Sequence, residues 1–145
     1  MSLSLIYLAS PYTHHDERVR ELRFHAACEA AAHLMMQGKP VFCPIAHSHP
    51  IAVKMPDGLA VNGEFWKKQD APYVEVCTEF YVLKLPGWDK SAGISHELER
   101  QRARGVPVTF IDPVHDIKCI PPHYCGPTCT LYCLSLAHRI AERAA

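Results

Sequence analysis

The chain has 145 residues, 48% hydrophobic and 21% charged, which is ordinary for one globular domain able to bury a real core. Its 15 basic and 15 acidic side chains balance, which excludes the broad basic field that binding a nucleic acid polymer requires, while a single small anion can still be held locally. No stretch approaches the ~20 apolar residues of a membrane span, and the seven cysteines come without a secretory signal, so the expectation is a soluble cytoplasmic protein with mostly free thiols and no membrane contact.

Leu5-Ile6-Tyr7-Leu8-Ala9 is a short apolar run suited to a strand buried on both faces. Ser10-Pro11-Tyr12-Thr13 breaks it, with Thr13 and Asp16 at capping-box spacing. A helix is expected from about Asp16 to Gln37, with Val19, Leu22, Ala26, Ala30 and Leu34 on one face, ended by Gly38 and Pro40. Pro40 to Cys43 reads as a second strand, and Pro44 to Asn62 as a long irregular loop. A helical segment from about Gly63 to Asp70 follows, with Pro72 ending it or starting another short turn. Glu79 to Leu85 is the third strand, Leu85 to Asp89 a turn, Ser91 to Arg104 a helix and Val106 to Ile111 the fourth strand. This alternation implies a parallel α/β sheet. From Asp112 onward the text changes, with Pro121-Pro122, four of the seven cysteines and a possible helix from Thr128 to Ala144. The expected organisation is an α/β domain over 1–112 and a Cys-rich extension over 113–145.

The strongest local signal is Leu-Pro-Gly-Trp-Asp-Lys-Ser-Ala-Gly-Ile-Ser-His-Glu, residues 85–97, which leaves a strand and opens a helix. Ligands of open parallel sheets bind outside the carboxyl ends of the strands, and a helix N-terminus offers N–H groups to an anion. Ser91 stands at the cap. Glu97 lies six residues on, roughly 9 Å along the axis, and tilts back over Gly93, which has no side chain to block a ligand. The plain alternative is an ordinary cap and a solvated Glu97. Tyr7 could orient Glu97 through its hydroxyl or simply be a core tyrosine. Asp70 alone reads as a surface acid. His47 and His49, two residues apart, are weak evidence for metal and favour ligand contact or loop structure. Cys125, Cys129 and Cys133 share a helical face near Cys119, His115, His123 and His138, either as buried thiols or as zinc ligands, with thiols the favoured reading.

Three segments together, Ile6 to Tyr12, Val41 to Pro50, and Leu85-Pro86-Gly87-Trp88 with Ser91, Gly93 and Glu97, resemble the nucleoside 2-deoxyribosyltransferase superfamily. They are most similar to a small deoxyribosyltransferase-like branch, and the Ser-x-Gly-x-x-x-Glu arrangement is similar to that of deoxynucleoside-monophosphate N-glycosidases. The resemblance covers about residues 4–111 and implies a flavodoxin-like three-layer sandwich with a parallel sheet of four to five strands, in a homo-oligomer. It implies Glu97 as nucleophile, Tyr7 as its orienting partner, and Asp70, which follows Trp66, as an acid that helps protonate or bind the base. Ser10, Pro11, His47, Gly87, Trp88, Ser91 and Gly93 are the expected contacts to a small-molecule nucleoside or nucleotide. No metal or cofactor is required. One departure stands out: the branch often has an Asp after a Cys before the third strand, whereas Cys77 here is followed by Thr78.

The implied chemistry is attack of Glu97 on the anomeric carbon, departure of the base with a proton from Asp70 or a His, and release by water or by another base. Ser91 leans the substrate toward a 5′-phosphate. The helix dipole is expected to help keep Glu97 ionised. Two other functions compete: a nucleotide-binding sensor that uses the same pocket without turnover, and a zinc or interaction module centred on the tail.

Overall fold

A computed structural model describes residues 3–56 and 58–114. The Cys/His-rich tail, with its expected helix and its zinc or buried-thiol alternatives, lies outside the described residues. Four strands, β1 (Ile6–Ala9), β2 (Val41–Phe42), β3 (Glu79–Leu83) and β4 (Val108–Ile111), form one sheet in the order β2-β1-β3-β4, with every pairing parallel. The helices between them are α1 (Glu17–Met36), α2 (Pro44–Ala52), α3 (Gly63–Val76) and α4 (Ala92–Ala103).

Side chains alternate across a strand, so β1 serves two cores at once. Ile6 and Leu8 pack with Ala26, Ala27, Ala30 and Leu34 of α1. Tyr7 and Ala9 turn the other way, to Phe80, Val74 of α3 and Ile94 of α4. Helices therefore cover both faces of the sheet. This is the parallel α/β sheet that the alternation of elements implied, in the flavodoxin-like three-layer sandwich that the resemblance implied, with four strands.

The inward face of α1 differs from the expected stripe in one place. Val19, Arg23, Ala26, Ala27, Ala30, Ala31 and Leu34 are buried, while Leu22 is only partly so. Asp16 caps α1, accepting from the Arg18 backbone N–H at 2.9 Å, so Thr13 does not form the expected capping box.

The reading of Pro44 to Asn62 as one irregular loop is corrected: its first half is α2. Cys43 is extended, and Pro44 takes the first helical turn, where its missing N–H costs nothing and its fixed φ suits a helix. Pro72 likewise does not end α3, which runs on to Val76. The last turn is tied down by buried Val74 and by the Tyr73 ring, stacked on Phe42 at 4.0 Å.

No helix among the described residues is long and apolar enough to cross a membrane. The described cysteines, Cys28, Cys43 and Cys77, are free thiols. Thr78, where an acid was noted as missing, sits at the far end of the strands from the site below. Its hydroxyl accepts from the Leu5 N–H at 2.8 Å and helps seat the start of β1.

Candidate active site

A cleft of about 580 Å³ opens at the carboxyl ends of β1 and β3, within the size range of small-molecule sites. Each helix contributes residues at helical spacing. From α2 come Pro44, Ile45, Ser48 and Ala52; from α3, Gly63, Trp66, Lys67 and Asp70; from α4, Gly93, Ile94 and Glu97. The loop after β1 adds Ser10, Pro11 and Tyr12, and the turn after β3 adds Gly87, Lys90 and Ser91.

The carboxylates lie in this cleft. Tyr7 is fully buried, stacked on Phe80 at 5.5 Å, and its hydroxyl donates to Glu97 Oε1 at 2.8 Å. The other carboxylate oxygen has no hydrogen bond among the described residues. Burial, and then the neighbouring Glu97, hold the Tyr7 phenol far above its ordinary range, so it remains a donor.

Burial also pushes Glu97 up to about 7, opposed by the Tyr7 hydrogen bond and reinforced by the charge of Asp70. Asp70 is raised to about 6 by burial. Desolvation is the largest influence on the Glu97 carboxyl. Two partly buried carboxyl groups, both raised toward neutrality and with the charge of Asp70 acting on Glu97, suit acid–base work.

Gly93 is open as its spacing implied. A Cβ there would meet only the Ser91 Oγ, at 3.9 Å, so the floor before Glu97 is clear. Ser91 caps α4, accepting from the Ile94 N–H at 3.4 Å, and also lines the cleft.

Two expected contacts are not brought to the cleft. His47 lies about 100° round α2 from Ser48, and its ring faces Phe42 at 5.7 Å. Trp88 packs on the α3–α4 core and against Phe110 at 5.4 Å. Neither residue lines the cleft.

The same cleft holds a group that the sequence reading passed over. Arg23 is buried, yet among the described residues no carboxylate pairs with it. Its Nη1 donates to the Thr13 carbonyl at 2.9 Å and its Nη2 to the Pro86 carbonyl at 3.3 Å, which ties the β1 and β3 loops together. Among the described residues its Nε has no hydrogen-bond partner, nor do the buried hydroxyls of Ser10 and Ser48. All three residues line the cleft. A buried guanidinium without a counter-ion is costly, which makes this part of the cleft receptive to an anion. The signal was an arginine four residues after Val19, inside an alanine stripe. Ser48 is legible only once α2 is known to be a helix.

No cluster of three or more His, Cys, Asp or Glu side chains able to hold a metal occurs among the described residues.

Among curated proteins none matches the chain significantly. A solved structure of a 2-deoxyribosyltransferase from the psychrotolerant bacterium Bacillus psychrosaccharolyticus is similar in fold, with a TM-score of 0.55 and 23% identity over 80% of this chain and 77% of that chain. Residues 4–112 match the family model described as Domain of unknown function (DUF1937). The match takes in both loops and all three helices that carry the carboxylates and the bare guanidinium, and the chain belongs to that family.

Proposed function

We propose that the protein cleaves the N-glycosidic bond of a nucleotide or nucleoside, with Glu97 as nucleophile. The observation that carries this reading is the Tyr7–Glu97 hydrogen bond inside a cleft that also holds Asp70. The fold neighbour, a 2-deoxyribosyltransferase, adds weight to it.

Glu97 Oε1 is fixed by Tyr7, and the second oxygen attacks the anomeric carbon. The bond from that carbon to the base nitrogen breaks, and the base leaves with the electron pair. Protonated Asp70 supplies the proton that neutralises the leaving nitrogen. The product of this step is a glycosyl ester on Glu97. Water at the anomeric carbon then releases the sugar and regenerates the carboxylate, with its proton returned to Asp70; a second base at the same carbon yields a new nucleoside instead.

Arg23 and the open floor at Gly93 support a substrate with a 5′-phosphate held against Arg23. The anion would complete the charge balance of Arg23, and Ser10 and Ser91 would add hydroxyl donors. Trp66, one helical turn before Asp70, offers a flat surface for the base.

The test is incubation with ribo- and deoxyribonucleosides and their 5′-monophosphates, with and without a free acceptor base, followed by chromatography beside Glu97→Ala. Free base released by the wild type alone supports the reading. New nucleoside formed only with acceptor identifies transfer. Intact ligand after binding would move the function to a non-catalytic nucleotide sensor.

A further inference from the structure

A hydrogen-bonded chain outside the carboxylate centre ends in the same cleft. His49, buried on α2, has its Nε2 at 2.7 Å from Glu21 Oε2 and its Nδ1 at 2.6 Å from the Tyr12 hydroxyl. Phe24 of α1 stacks on the imidazole at 4.3 Å, which fixes the ring plane. Tyr12 and Arg20 line the cleft, whereas Glu21 and His49 do not. The Arg20 guanidinium lies near the Tyr12 phenol, its charge opposing the upward push of burial there, and its Nη1 donates to the His14 carbonyl.

Donor and acceptor roles along this chain follow from one constraint. A carboxylate only accepts, so Nε2 of His49 carries the hydrogen that meets Glu21. In the neutral ring Nδ1 is then a lone pair, and the Tyr12 O–H must donate to it. The phenol oxygen is left with acceptor capacity toward the cleft, which Arg20 also lines. Other charged or titratable groups nearby are Glu17, whose charge acts on Tyr12, and His25, whose Nε2 is 3.3 Å from Glu21 Oε1.

We propose that Glu21, His49 and Tyr12 are positioning residues that hold Arg20 at the cleft, and that Arg20 is a second contact, beside Arg23, for a phosphate monoester. The inference rests on the 5′-phosphate reading above and names the residues that would enforce it. Two forked guanidinium groups would embrace a phosphate from two sides, and an uncharged hydroxyl would leave Arg23 without a counter-ion.

The experiment is calorimetric titration with 2-deoxyribose 5-phosphate and, as control, 2-deoxyribose, at fixed pH and salt. Arg20→Ala is expected to weaken binding of the phosphate ester by about tenfold or more. Tyr12→Phe and Glu21→Gln should weaken it several-fold, with binding of the uncharged sugar unaltered. Glu21 is partly exposed, so Glu21→Gln tests the chain without opening the core. In the Arg20→Ala background Glu21→Gln should have no further effect, because its action passes through Arg20. A merely structural role for Glu21 would instead give the same loss in both backgrounds, and that result overturns the proposal. So does a wild type that binds the phosphate ester no better than the free sugar. Binding is read without turnover: the expected pattern in a protein that leaves every nucleotide intact would sink the glycosidase reading and leave this one standing.

Discussion

The Tyr7 hydroxyl donates to Glu97 Oε1 at 2.8 Å although the two residues are 90 positions apart, one on the central strand and the other on the last described helix. The contact exists because Tyr7 points to the α3–α4 side of the sheet, and because Glu97 stands one helical turn past Gly93, on the cleft-facing side of α4.

Tyr7→Phe keeps the ring stacked on Phe80 and removes only the donor. The carboxylate loses a charge-assisted hydrogen bond, so kcat is expected to fall about ten- to a hundredfold. Since that bond lowers the Glu97 pKa, the Glu97 limb of the pH–rate profile should move to higher pH. Steady-state kinetics of the variant across pH checks both outcomes.

The proposed reaction needs one proton shared between Glu97 and Asp70: an ionised nucleophile and a protonated acid. With Asp70 near 6 and Glu97 near 7, the singly protonated pair peaks between those values with its proton mostly on Glu97, so the reactive form, with the proton on Asp70, is the minor tautomer of that pair. The kcat/KM profile is therefore expected to be bell-shaped, falling on both sides of that window. Asp70→Asn should abolish one limb and lower the maximum. A flat profile from pH 5 to pH 8 would contradict the assignment.

Stability should show the same burial with a definite sign. The Glu97 carboxyl rises from an ordinary 4.5 to about 7 on folding, so the folded protein holds that proton more tightly than the unfolded chain. The contribution to stability is fully present below the unfolded value and is lost as pH rises through about 7. Glu97→Gln removes the ionisation. The variant should match the wild type near pH 4 and exceed it by on the order of 3 kcal/mol above pH 8. Urea unfolding at the two pH values measures the difference.

Arg23 and Gly87 form a linked pair. Gly87 has φ +91°, and a Cβ there would stand 3.2 Å from Arg23 Nη2. Gly87→Ala is expected to cost about 1–2 kcal/mol in thermal or urea unfolding, from the left-handed backbone and the crowded guanidinium together. Arg23→Met should lower the affinity for a 5′-monophosphate far more than for the matching nucleoside.

Much of the fold could be read in the sequence because its signals are local. The apolar run through Tyr7, the Ser91 cap and the Gly93–Glu97 spacing each lie within a few residues and need no tertiary knowledge. The alternation of elements then set the sandwich. Failures came where one residue type has two meanings. Pro44 and Pro50 suggested a loop, but the first occupies a helix start and the second sits inside the helix, so His47, Ser48 and His49 were not sorted onto separate faces. His49 consequently seemed a ligand contact or a loop residue, whereas it is buried between Glu21 and Tyr12. Arg23 was overlooked because an alanine stripe conceals a charge whose hydrogen-bond partners among the described residues are carbonyls of two distant loops. Trp88 stood beside Gly87 in a promising motif, but a 3-10 turn over Trp88–Lys90 sends the ring to the core.

The central claim is that Glu97 forms a covalent bond to the sugar. The most direct test is intact-mass spectrometry of the protein, acid-quenched within milliseconds of mixing with the nucleotide that the chromatographic screen selects. The account expects a fraction of wild-type chains heavier by one sugar phosphate, with the added mass on the peptide containing Glu97 and absent from Glu97→Gln. Base release by wild-type protein with no adduct on any peptide at any quench time, and with Glu97→Gln still active, would contradict it.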